Sequence, residues 1–167
     1  EKAVKQEESP VGKKVLGHAP QFTAYVDHVN CTGSVYECCY LDRSDGYRFH
    51  VDDYLAKMSA EYGLFIVENP INPTGLPVSL EDIARIARRA EEWGKLLVVD
   101  EAYAEYLPFS ASAINLIPSH PNLIVTRSFS KGWGMAGVRL GYGVSSTQSG
   151  LLPQLEKLVL PFNSNGI

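Results

Sequence analysis

From Lys14 onward the chain alternates short apolar runs with stretches of helical period, the sequence form of a layered α/β domain with a largely parallel sheet. The runs predict strands at residues 14–18, 35–40, 64–68, 96–100, 122–126 and 138–144. The best-marked helix is residues 80–93. There Ile83, Ile86, Ala87, Ala90 and Trp93 form one apolar stripe, Ser79 stands before it as an N-cap with Asp82 three residues on, and Gly94 closes it. Residues 68–100 therefore read as a strand, helix, strand unit, and 101–106 as a further helical stretch. A polar, helical start at residues 1–8 and an end at 161–167 without a final element give both termini the look of an excised piece. No internal repeat or low-complexity segment appears, and one domain is the simplest account.

Composition narrows the class. The chain has 167 residues, 45% of them hydrophobic and 10% aromatic, enough to bury a core. Its net charge of -4 and scattered basic residues offer no electrostatic footprint for nucleic acid. No apolar run approaches a membrane span and no secretory signal opens the chain, so a cytoplasmic protein with small-molecule or protein partners is expected. Cys31, Cys38 and Cys39 are an odd set with an adjacent pair, a poor disulfide framework. The histidines at 18, 28, 50 and 120 lack metal-ligand spacing, and no metal is assigned.

In an open parallel sheet, ligands bind beyond the carboxyl ends of the strands. Three of the predicted ends carry unusual chemistry. After residues 64–68 comes Asn69-Pro70-Ile71-Asn72-Pro73-Thr74-Gly75, after the next strand Asp100-Glu101-Ala102-Tyr103, and after 122–126 the run Ser128-Phe129-Ser130-Lys131. Lys131 is an amine at the mouth of an apolar strand, where desolvation makes a lysine nucleophilic. Asp100 ends the apolar run Leu96-Leu97-Val98-Val99, and a carboxylate there needs a cation or several donors. Taken alone, its commoner role at such a junction is the cap of the stretch that follows. Asn72 sits on a turn stiffened by two prolines, and Tyr103 on the face that follows Asp100.

A lysine for an imine, an acid for a pyridinium, a phenol and an amide for a phenolate oxygen, and hydroxyls with an arginine for phosphate together match the needs of pyridoxal 5'-phosphate. Asn72-Pro73-Thr74-Gly75, Asp100-Glu101-Ala102-Tyr103 and Ser128-Phe129-Ser130-Lys131, with Arg139 eight residues later, resemble the signatures of the fold type I, class I and II aminotransferases. The likeness is greatest to the histidinol-phosphate aminotransferase branch. It implies an α/β fold, the three-layer large domain of that family with a mostly parallel mixed sheet, truncated at both ends. It also implies Lys131 as the cofactor-linked lysine and proton carrier, Asp100 at the pyridine nitrogen, and Tyr103 and Asn72 at the ring oxygen. Ser128, Ser130 and Arg139 are then the phosphate ligands. The segment Pro20-Gln21-Phe22-Thr23-Ala24-Tyr25 resembles the part that lays an aromatic on the ring, which nominates Phe22, with Tyr25 in competition.

The resemblance runs from about Lys14 to Phe162 and covers roughly the central half of a family member. It implies that a glycine-bearing phosphate loop lies before Glu1 and a small domain gripping the substrate carboxylate beyond Ile167. It also implies a homodimer when intact, amino-acid and 2-oxo-acid substrates, and weak cofactor binding with little transamination by the 167-residue piece alone. Three alternatives stand beside the aminotransferase. One is a decarboxylase or lyase on the same scaffold, such as threonine-phosphate decarboxylase; the others are a regulator's sensor domain and a cofactor-free α/β binding module. Glu101, Glu105, Tyr106 and Trp133 are further candidates for the pocket wall, each equally suited to core or surface.

Overall fold

The computed structural model describes residues 14–157; the sequence features at 1–8 and 161–167 lie outside that range. Among the described residues six strands form one sheet: β1 (Lys14–Ala19), β2 (Val35–Tyr40), β3 (Tyr62–Glu68), β4 (Leu96–Asp100), β5 (Leu123–Ser128) and β6 (Gly141–Ser145). Their spatial order is β2-β1-β3-β4-β5-β6. The first five are parallel to one another and β6 runs antiparallel to β5, giving the expected mixed, mostly parallel sheet.

Three helices make the crossovers and a fourth follows the sheet: α1 (Ala24–Cys31), α2 (Val51–Lys57), α3 (Leu80–Glu92) and α4 (Leu152–Glu156). The α3 boundaries follow the expected devices. Ser79 Oγ accepts the Asp82 N–H at 3.1 Å, and Gly94 takes a φ of 64°, the left-handed conformation that glycine adopts without a Cβ penalty. Among the described residues no helix is long and apolar enough to cross a membrane.

Strand alternation divides the sheet into two unlike faces. Phe65 and Val67 of β3, Leu97 and Val99 of β4 and Leu123 and Val125 of β5 all lie on one face, fully buried. Against them pack Ile83, Ile86, Ala87 and Ala90 of α3 and Tyr54 of α2, forming the main core. The opposite face carries Leu64, Val98 and Ile124, which are only half-buried. On it stand Glu68, Asp100, Thr126 and Ser128, by the same register.

Two expectations change. The strand expected at 138–144 is shorter and later, because Ala136–Val138 forms a 3-10 turn and Arg139 adopts a φ of 57° before β6 begins at Gly141. Glycines around that site loosen the strand pattern, and the antiparallel edge fixes where pairing starts. The helical stretch expected at 101–106 condenses to one 3-10 turn at Ala104–Tyr106. Asp100 and Glu101 are each engaged elsewhere, and Pro108 follows within two residues.

His18 ties β1 to β3. Its Nδ1 lies 3.0 Å from the Pro20 carbonyl and its Nε2 accepts the Glu68 N–H at 3.2 Å, so the neutral ring carries its proton on Nδ1. Burial lowers its pKa to about 4, partly offset by the Pro20 carbonyl.

The core and this histidine generate two expectations. Ile86→Ala, at a fully buried α3 position, costs about 2–5 kcal/mol of unfolding free energy in urea titrations. For His18 the folded pKa lies below the unfolded value of about 6.5. Its contribution to stability is therefore present above that value and is lost as pH falls toward 4. The urea midpoint of the natural protein falls more steeply across this window than that of His18→Asn, whose amide does not titrate.

Candidate active site

The sheet order makes the site. From β1 the chain turns to β2 on one side, and from β3 it turns to β4 on the other, so right-handed crossovers send α1 and α3 to opposite faces. A crevice opens between β1 and β3, the position where open α/β sheets bind ligands. It is lined by Phe22 from the loop after β1, Glu68, Pro70 and Asn72 from the end of β3 and its turn, Asp100, Ala102 and Tyr103 after β4, and Lys131.

A second cleft adjoins it across Asp100 and Ala102. Its walls include Thr126, Ser128 and Ser130, together with Arg139 and Gly141. The structure thus brings together the eight residues that the resemblance assigns to the cofactor site. They are divided between an apolar-walled crevice and a cleft rich in hydroxyls that Arg127 and Arg139 also line.

Asp100 and Glu101 go opposite ways, as consecutive residues leaving a strand do. Asp100 faces the crevice, its Oδ1 accepting the Ala102 N–H at 2.8 Å and its Oδ2 accepting the Tyr25 hydroxyl. A carboxylate offers about four lone-pair sites. Asp100 therefore caps the turn after β4, as its alternative role requires, and keeps capacity for a ring N–H in the crevice. Burial, with Asp100 alongside, raises the pKa of Tyr25 and keeps its phenol a donor. Tyr25 thus lies beneath the crevice, its ring edge-on to Phe22 at 6.1 Å between centroids, while Phe22 borders the opening.

Glu101 turns into the core side and is fully buried. Arg127 binds it through Nε at 2.9 Å and Nη2 at 2.7 Å and reaches Glu105 at 3.2 Å, while Ser112 and the Ala113 N–H complete the shell. Glu101 and Glu105 are thus structural anchors of the loops after β4 and β5, and neither is in the crevice wall. Tyr106 and Trp133 are exposed and also lie outside both clefts. Gly132 packs on the Glu105 side chain where a Cβ has no room, so the anchored Glu105 sets the height of the loop that carries Lys131.

Lys131 is exposed, contrary to the desolvation expected from its place after an apolar strand. Its Nζ lies 5.1 Å from the centroid of the Tyr103 ring, a cation-π distance. Asn72 lines the crevice from a turn closed by Gly75 N–H to Ile71 O at 2.7 Å. In the second cleft the Ser130 N–H donates to Ser128 Oγ at 3.0 Å, and Arg139 Nη1 donates to the Ala136 carbonyl at 3.1 Å. The guanidinium retains other N–H groups for an anion.

Glu68 was not singled out from the sequence. It is 3% exposed and lies beside Asp100 in the register of β3 and β4. Its Oε1 accepts the Phe22 N–H at 2.9 Å and its Oε2 the Asn72 N–H at 3.0 Å. Burial pushes its pKa up to about 7 against the pull of those two amides, with Asp100 adding to the rise. An acid closing an apolar strand is the same signal that marked Asp100. Applied to residues 64–68, it finds Glu68.

Comparison with known proteins agrees with this geometry. Residues 8–167 match the family described as aminotransferase class I and II. A histidinol-phosphate aminotransferase of Nitrosospira multiformis is 38% identical over 72% of this chain and 31% of its own length. The crystal structure of the histidinol-phosphate aminotransferase from Clostridium acetobutylicum superposes with a TM-score of 0.83 at 25% identity, over 91% of this chain and 45% of the other. That of Sinorhizobium meliloti, in complex with pyridoxal-5'-phosphate, gives 0.74 at 30% identity, over 88% and 39%. The chain spans less than half the length of each of these relatives. With the expected sheet, the three motifs and their convergence on one crevice, the chain belongs to the class I and II aminotransferases.

Proposed function

We propose that these residues are the cofactor-binding part of a pyridoxal-phosphate-dependent aminotransferase that moves an amino group between an amino acid and a 2-oxo acid. The observation that carries the reading is the meeting of Lys131, Asp100, Tyr103 and Asn72 around one crevice with Ser128, Ser130 and Arg139 in the adjoining cleft. The family match and the relative crystallised with pyridoxal-5'-phosphate support it.

The cofactor, when bound, supplies an aldehyde for amines and a protonated ring that draws electrons from the α-carbon. Asp100 keeps a proton on the ring nitrogen, its carboxylate held in place by Tyr25 and the Ala102 N–H. The Tyr103 hydroxyl and Asn72 amide would donate to the ring oxygen, and Phe22 would border the ring. Ser128, Ser130 and Arg139 take the phosphate, for which the planar guanidinium fork is suited. Lys131 Nζ would be the amine offered to the aldehyde and, as the basic group of the crevice, would carry the proton of the substrate's α-carbon.

The contact to the substrate carboxylate and a further phosphate-binding loop are assigned outside these 167 residues, and the working form is a homodimer. The exposed Phe109, Trp133 and Tyr142 supply apolar surface for such an association. A cytoplasmic setting accords with the three free cysteines.

Adding pyridoxal 5'-phosphate to the intact protein gives an imine absorbance band. Lys131→Ala abolishes the band and lowers the transamination rate by about 10²-fold or more. A band that persists in Lys131→Ala, or no band in the natural protein, overturns the reading.

A further inference from the structure

We propose that Glu68 is a positioning residue of the cofactor crevice. Its buried carboxylate clamps the backbones of Phe22 and Asn72 together while standing as a second acid beside Asp100. This rests on the cofactor reading above and extends it to a residue outside the motifs.

The clamp is direct. One oxygen takes the Phe22 N–H and the other the Asn72 N–H. Phe22 follows β1 and Asn72 follows β3, so one side chain bridges the two lips of the crevice opening between those strands. Neither loop reaches the other through the sheet ladder, because β1 and β3 pair only as far as Leu16 and Phe65. The main chain of Glu68 is fixed from behind by His18 Nε2. Phe22 and Asn72 are the residues assigned to the ring face and the ring oxygen, and both take their positions from this carboxylate.

The charge is the second part. Glu68 faces Asp100 from β4, Tyr25 from α1, Tyr36 from β2 and His18 from β1, with Lys131 across the crevice. Among the described residues no ion pair to a cation is formed by Glu68, although it is almost fully buried. Two neighbouring carboxylates with phenols and a neutral imidazole around them make a crevice that favours a cationic ring. Burial keeps the Glu68 carboxyl close to neutrality in its titration, so a bound cation draws it into the ionised form.

Glu68→Gln and Glu68→Asp separate the two parts. Glutamine keeps the shape, loses the charge and offers an acceptor to only one of the two amides. Aspartate keeps the charge and is too short to span both. In the intact protein, Glu68→Gln weakens pyridoxal 5'-phosphate binding by about tenfold or more. It also lowers the pH midpoint of the imine band, because an anion that stabilised the cationic form is gone. Glu68→Asp weakens binding similarly and retains the natural midpoint. A readout without cofactor comes from unfolding. The folded pKa of Glu68 is raised, so its contribution to stability is present below about 4.5 and is lost as pH rises through about 7. Glu68→Gln removes that decline from the cofactor-free protein. Should the glutamine variant not fold, the aspartate variant's affinity carries the test. Natural affinity and midpoint in whichever variant folds overturn the proposal, while a missing band in the natural protein overturns the cofactor reading instead.

Discussion

The site depends on one constraint, the period-two alternation of side chains at the end of β4. Asp100 and Glu101 are adjacent carboxylates, and the pleat sends them to opposite sides of the sheet. Glu101 enters the core side, where a buried charge is tolerable only because Arg127 meets it with two nitrogens and Ser112 and the Ala113 N–H fill the remaining sites. Asp100 goes to the other side, where Tyr25 and the Ala102 N–H hold it without neutralising it. A slip of one residue exchanges these roles and leaves each acid without its partners.

The same constraint acts across the sheet. Because β3 and β4 are in register, Glu68 stands next to Asp100 on the same face, and Thr126 and Ser128 of β5 follow on that face. The parallel order β2-β1-β3-β4-β5 puts all these strand ends at one edge, and the change of direction between β1 and β3 opens the crevice there. The acidic groups thus collect near the change of direction, and the hydroxyls with Arg139 collect one strand further along. Separation of the acid-lined crevice from the hydroxyl-lined cleft follows from strand order. The core face supplies the rigidity: α3 and α2 bury it, and the Arg127 network fixes the loops that carry Tyr103 and Lys131.

Much of this was legible in the sequence. Five strands fell within about two residues of their expected bounds, because β-branched and leucine runs between turn residues have little freedom to be anything else. The α3 helix was marked by its stripe and both caps. Helices α1 and α2 carried no comparable stripe: among the α1 residues none is buried, and α2 buries only Val51 and Tyr54. Motif residues were found because each ends a strand or sits in a constrained turn. Glu68, Tyr25 and Arg127 each depend on a partner far along the chain, Phe22, Asp100 and Glu101 respectively, which spacing does not reveal. The choice between Phe22 and Tyr25 likewise needed the third dimension, since both lie in one short segment and only the fold directs Tyr25 to Asp100.

The central claim is that one ligand occupies both clefts, ring toward Asp100 and phosphate toward Arg139. A crystal structure of the intact protein soaked with pyridoxal 5'-phosphate tests it most directly. Continuous density is expected from Lys131 Nζ to the cofactor, with the ring nitrogen within hydrogen-bond distance of Asp100 and the phosphate among Ser128, Ser130 and Arg139. Density showing the phosphate beside Glu68 and Asp100, or the cofactor joined to another lysine, contradicts it.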